Sequence, residues 1–168
     1  MSPSTPVRCM RKLPACLLAL ALLASPLAAA DVEGQLLAAI NAARQKAGCP
    51  AMVADPQLTA AAYGHAKAMA EKDFFSHNSK NGAHFTKRID AQGYRWADAA
   101  ENIGMGYASA AQIFDSWMAS AGHRRNILDC RQSEAGIAMV YQKDDKPLKG
   151  QKFTAHYYWV AVFARPKG

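Results

Sequence analysis

Apolar residues recur at helical spacing in four stretches of the chain, and two stretches nearer the C-terminus are apolar at almost every position. Leu36, Leu37, Ile40 and Ala43 share one face of a helix beginning near Glu33, and Gly48 before Cys49-Pro50 supplies its stop. A second helix starts at Pro56 with Asp55 as cap, and carries Leu58, Ala62, Ala66 and Met69 on one side toward Lys72. His65 lies beside that stripe, where a histidine is more often a packing residue than a ligand. A third, shorter helix spans His84 to Gln92 and turns Phe85, Ile89 and Tyr94 inward; His84 reads as its starting residue, without chemistry. The fourth opens at Ser109, three residues before Gln112 in the spacing of a capping box, and buries Ile113, Phe114, Trp117 and Met118. Gly122 is its expected end.

The segments Gly136 to Tyr141 and Tyr157 to Phe163 read as strands. Because they are apolar at nearly every position instead of at alternate ones, both faces of their sheet need cover. The expected class is therefore α+β: a three-layer α-β-α sandwich with a small antiparallel sheet between helices. Two stretches break the periodicity. Asp73 to Gly82 changes abruptly to turn-forming residues, a loop expected to be pinned by Phe74 and Phe75, and Gly93 to Ala108 is expected to be irregular.

The first thirty residues stand apart from this pattern. Arg8, Arg11 and Lys12 precede an apolar run from Cys16 to Ala24, Pro26 breaks it, and Ala28-Ala29-Ala30 offers a cleavage site, so residues 1–30 read as a secretory signal. That run is shorter than the ~20 residues a membrane helix needs, and no later segment is long enough, so no membrane span is expected. Residues 31–168 then form a single exported domain, periplasmic or extracellular and expected to be a monomer. Three of the basic residues behind the formal charge of +7 leave with the leader, and the rest are scattered, which argues against nucleic acid as a partner. Cys9 and Cys16 also lie in the leader. Cys49 and Cys130 remain, and in an oxidising compartment they are expected to join. Closing a loop of about 80 residues contributes roughly 4–5 kcal/mol in the chain-entropy model. Two unpaired thiols are the alternative.

Candidate chemistry lies in three clusters. His77 closes Phe74-Phe-Ser-His77 at the start of an irregular segment, where functional groups are often displayed. Glu101 sits in Ala100-Glu-Asn-Ile-Gly104; a carboxylate among apolar neighbours is expected to be buried and so to need backbone N–H donors or a cation, with Arg124 or Arg125 as its partner. His123 lies in Trp117-Met-Ala-Ser-Ala-Gly-His123-Arg-Arg-Asn-Ile127, after the expected helix end, where the helix dipole raises an imidazole pKa unless burial or a metal opposes it. Arg124 and Arg125 are expected to bond the helix-end carbonyls, and Asn126 to hold the turn. We expect His77, Glu101 and His123 to converge on one cleft. Two neutral imidazoles and a carboxylate would fill three positions of a tetrahedral zinc site. Two alternatives stand beside a binding cleft: a hydrolase, metal-assisted or using Ser120 as nucleophile with His123 as base and Glu101 orienting it, and a purely structural network. The signatures G-x-S-x-G, H-E-x-x-H and C-x-x-C are absent.

Taken in order with Tyr158-Trp-Val-Ala-Val-Phe163, these clusters resemble the bacterial SCP-like branch of the CAP superfamily, which groups cysteine-rich secretory proteins, insect venom antigen 5 proteins and plant pathogenesis-related proteins. The resemblance covers residues 33–164. It implies an α-β-α sandwich with a central cleft lined by two histidines and two acidic residues, the histidines binding a divalent cation such as zinc in some members. His77, Glu101 and His123 fall on three of those positions; Ser120 stands at the fourth, where many eukaryotic members carry glutamate. Roles across that family are diverse, including sterol or lipid binding, signalling and proteolysis; the first reading for this chain is a secreted binding module whose cleft takes a small ligand, lipid or protein partner.

Overall fold

Asp31 accepts a hydrogen bond from the Gly34 amide (2.7 Å) and opens the first helix, α1 (Val32–Lys46), which ends in the basic residues Arg44 and Lys46. Acid at the start and base at the end complement the helix dipole. The computed structural model describes Met1 and residues 31–168, and the remainder of the expected leader, residues 2–30, lies outside the described residues. After the two-residue strand β1 (Val53–Ala54), Asp55 caps α2 (Pro56–Glu71) by accepting from the Leu58 amide at 2.8 Å. Then follow α3 (Thr86–Ala91), β2 (Trp96–Met105), α4 (Ala110–Ala119), α5 (Ala121–Ile127), β3 (Glu134–Tyr141) and β4 (Tyr157–Pro166).

The sheet runs β1-β3-β4-β2. Its three long strands are antiparallel, and only the short β1 pairs parallel, against the start of β3. On one face Leu58, Ala62, Ala66 and Met69 of α2 and Ile89 of α3 pack on Tyr158, Val160 and Val162. On the other, Leu36 and Ile40 of α1, Ile113 and Trp117 of α4 and Ile127 of α5 meet Trp159, Ala161 and Phe163. Successive residues of β4 thus enter opposite cores, which is why this strand is apolar throughout.

Three expectations change. The stretch from Gly93 to Ala108 is not irregular: it contains β2, which pairs with β4 from Trp96 opposite Pro166 to Met105 opposite Tyr158. Its run of small and polar residues has little strand propensity of its own, and the pairing with an apolar neighbour decides. The helix expected to reach Gly122 stops at Ala119. Ser120 is extended (φ −86°, ψ 123°), and Gly122 belongs to the separate α5. In the loop after α2, Phe74 packs against the core, but Phe75 is exposed and pins nothing.

Two contacts fasten the layers. At Gly136 in β3 an added methyl would lie 2.0 Å from the carbonyl carbon of Leu58 and 2.1 Å from the amide nitrogen of Thr59, so α2 approaches the sheet as closely as backbone allows. A Gly136→Ala substitution is expected to lower stability by about 2–3 kcal/mol, measured by urea denaturation, because neither clashing atom can rotate away. At the other end of the sandwich, the disulfide Cys49–Cys130, with Cα atoms 4.8 Å apart, joins the end of α1 to the segment after α5. Beside it the fully buried Arg44 donates to four carbonyls: Pro50 (2.9 Å), Ile127 (2.8 Å), Asp129 (2.9 Å) and Gln132 (2.8 Å).

Candidate functional site

As the outermost strand beyond β4, β2 sits where the two helical layers approach each other around the sheet. Its side chains alternate: Ala99 and Ile103 join the α2–α3 core, whereas Ala100 joins the opposite core and Gly104 abuts Ile113 of α4. Glu101 shares the parity of Ala99 and Ile103, and so points to the α3 side. Its residue is 5% exposed, yet both oxygens are engaged: Oε1 accepts from His77 Nδ1 at 3.0 Å and Oε2 from Arg88 Nη2 at 2.5 Å. Arg88 also donates twice to the His77 carbonyl (3.1 Å each) and once to Ser79 Oγ (3.0 Å). From α2, His65 Nε2 donates to the Ser76 carbonyl at 2.8 Å.

The consequence falls on His77. The carbonyl before it, its own carbonyl and its ring Nδ1 are each held by a different side chain. Its side chain is nevertheless half exposed. With Nδ1 as donor to Glu101, the neutral ring presents Nε2 as a lone-pair donor toward solvent. It faces a cleft of about 410 Å³ whose wall includes Glu101, His84, Phe85 and Asn126.

His123 reaches this region from α5. It lies in the first turn of that helix, not after a helix C-terminus, so the dipole acts opposite to the sequence expectation. Burial first, and then the nearby His77, hold its pKa below the ordinary imidazole value. Burial therefore favours its uncharged form. Its ring packs 6.3 Å from the Trp117 ring, and its carbonyl accepts from Asn102 Nδ2 at 3.1 Å. Asn126, expected to hold its own turn, instead donates to Asn102 Oδ1 (2.8 Å) and to the Glu101 carbonyl (3.3 Å), tying α5 to the free edge of β2.

The structure brings His77 and Glu101 into contact and sets His123 close enough to His77 for their charges to interact. It does not link Ser120, His123 and Glu101. The Ser120 hydroxyl makes no hydrogen bond to His123, and the Glu101 oxygens go to His77 and Arg88. The expected partners of Glu101 are also replaced: Arg124 donates to the Met118 carbonyl (2.7 Å), as a helix-end residue does, while Arg125 is exposed. Arg88 and His84 are the site residues that the sequence reading passed over. One signal was present for Arg88: it lies three residues after Phe85 and beside Ile89, on the inward side of its helix. Among the described residues, no group of three or more His, Cys, Asp or Glu side chains is arranged to hold a metal ion. A cation would have two imidazoles as protein donors, with Glu101 behind one of them.

The chain belongs to the cysteine-rich secretory protein family, or CAP, whose model matches residues 37–163. Among curated proteins it is similar to the uncharacterized protein YkwD of Bacillus subtilis, 28% identical over 116 residues that cover 69% of this chain and 45% of the relative. The uncharacterized membrane protein YlbC of the same organism is 29% identical over 107 residues, 64% of this chain and 31% of that one. The chain thus spans less than half the length of these curated relatives. Among solved structures, an extracellular SCP-domain protein of Bacillus anthracis superposes with a TM-score of 0.65 at 23% identity, covering 78% of this chain and 39% of the other. An outer surface protein of Borrelia burgdorferi gives 0.69 at 17% identity, covering 79% and 91%. These structural likenesses speak for the fold.

Proposed function

We propose that the chain is an exported binding module whose cleft at the β2 edge takes a small ligand or a partner's side chain on His77, with a divalent cation such as zinc as the bridging group. The observation that carries this reading is the anchoring of a half-exposed imidazole by a buried carboxylate, with Arg88 fixing the carboxylate in turn. Histidines that ligate metals commonly donate their second nitrogen to a carboxylate in this way, which sets the tautomer and raises the basicity of the free nitrogen. His77 Nε2 and the neutral ring of His123 would hold the ion, and Glu101 would orient. Such an ion supplies a Lewis acid with open positions for an exchangeable ligand. Export, to the periplasm or beyond the cell, is supported by the leader pattern of residues 1–30 and by the disulfide.

Calorimetric titration of the folded domain with zinc tests the reading. The unaltered domain is expected to bind saturably, with affinity falling as the pH drops below the imidazole range. His77→Ala and His123→Ala should each weaken binding by about tenfold or more. Unchanged affinity in both variants would remove the cation from the proposal. A network that is only structural would instead lower the melting temperature of His77→Ala while zinc produced no heat.

A further inference from the structure

The edge of the sheet opposite β2 is only partly covered. The strand β1 pairs with β3 at Glu134 and Ala135 alone, because a helix begins at Pro56 and lifts the chain away. One more bond, from the Asp55 amide to the Ala135 carbonyl (2.9 Å), ends the ladder. On the other side, the Gln142 amide donates to the His156 carbonyl (2.8 Å), so even-numbered residues of β3 bond toward β4 and odd-numbered ones turn their backbone groups to the open side. There the Met139 amide donates to the Glu33 carboxylate at 3.1 Å. The N–H and C=O of Ile137 and the C=O of Met139 have no hydrogen-bond partner among the described residues. Idle donors and acceptors along a strand edge are a template for another strand.

A groove of about 710 Å³ lies beside this edge, and a smaller one of about 200 Å³ shares Ile137, Asp31 and Glu33 with it. Their walls are the starts of α1 and α2, which cover opposite faces of the sheet. Asp31 and Glu33 stand on the α1 wall and Asp55 on the α2 wall, and no lysine or arginine lines either groove. One oxygen of each acid accepts from an amide, of Gly34 (2.7 Å), Met139 (3.1 Å) and Leu58 (2.8 Å) respectively. None forms an ion pair among the described residues, and they are not gathered to hold a metal ion. Tyr63, 52% exposed on the α2 wall, offers a ring face to a cation. A second copy paired edge to edge about a two-fold axis would set these acids against themselves. We infer that the β3 edge takes an extended basic segment of a partner protein, added as a strand in line with β1. Its backbone pairs with Ile137, and its side chains, alternating between faces, meet Asp31 and Glu33 on one side and Asp55 and Tyr63 on the other. This edge is separate from the His77 cleft and needs no cation there.

The end-blocked peptide Val-Lys-Arg-Lys-Val, about as long as the free stretch of β3, is the probe. It is titrated into the domain at physiological ionic strength while the Ile137 and Met139 amides are followed by NMR. Saturable shifts are expected, with hydrogen exchange at the Ile137 amide slowed by about tenfold or more as that group gains an acceptor. The same peptide N-methylated at every residue keeps its charges but cannot add a strand, and should bind about tenfold more weakly. Val-Glu-Asp-Glu-Val should not bind. The triple variant Asp31→Asn, Glu33→Gln, Asp55→Asn keeps a carbonyl for each of the three amides and removes only charge, so it should fold and bind the basic peptide about tenfold more weakly. The inference is overturned if no saturable shift reaches Ile137, or if the N-methylated peptide binds equally well. Unchanged affinity in the triple variant overturns the selection for basic segments. Shifts at Ile137 that depend on protein concentration without peptide would assign the edge to a second copy, and overturn the partner.

Discussion

An Arg44→Met variant is expected to lose about 3–5 kcal/mol of stability in urea denaturation. Methionine fills much of the same volume, so packing is not what the substitution removes. What it removes is the donor set for the carbonyls of Pro50, Ile127, Asp129 and Gln132, which converge on a guanidinium with no exposed surface. The Ile127 and Gln132 oxygens lie in buried bonds, and without Arg44 each keeps the cost of burial without a bond. Arg44→Lys should recover less than half of the loss, because a single ammonium cannot span carbonyls arranged for a planar fork. A loss below about 1 kcal/mol in the methionine variant would mean that water replaces the guanidinium and that the pocket is less dry than it looks.

The second large effect is expected at Glu101. In Glu101→Leu the Arg88 guanidinium, largely buried, loses its counter-charge, and His77 loses the acceptor on Nδ1. Stability should fall by about 2–4 kcal/mol, the usual consequence of leaving one member of a buried pair unmatched. A purely structural role predicts no more than that. An orienting role also predicts a change in His77 itself: ring nitrogen shifts should report a mixture of tautomers where the unaltered domain shows one, and zinc affinity should drop by about 10–100-fold. If the tautomer stays single in the variant, Arg88 and the backbone position the ring without the carboxylate.

Much of the architecture was legible from residue spacing, and the exceptions share a cause. The unbroken apolar run of Tyr158 to Phe163 announced a strand covered on both faces, and the stripes of α1, α2 and α4 announced the covering layers. The strand β2 was not legible, because Ala97, Ala99, Ala100 and Gly104 carry no strand signal until β4 lies beside them. The error propagated to the site. Glu101 could be recognised as a buried carboxylate from its neighbours, but its partner depends on which face of β2 it occupies, and without the strand there is no face. Arg88 is on the correct side, whereas Arg124 and Arg125 are near to His123 only in sequence. The break at Ser120 was hidden for a similar reason: Gly122 offers the stronger local stop, yet Asn126 and the Asn102 side chain draw α5 against the β2 edge and set the turn earlier.

The corner where Arg44 meets the Cys49–Cys130 bond has a bearing on how the domain matures. Directly upstream of Cys130 runs the helix that carries His123 and supplies Asn126 to the cleft wall. Arg44 already holds the end of that helix through the Ile127 and Asp129 carbonyls, and the disulfide adds a covalent tie at the same corner. Joining the two thiols thus fastens the wall that carries Asn126 to the end of α1 by a covalent bond.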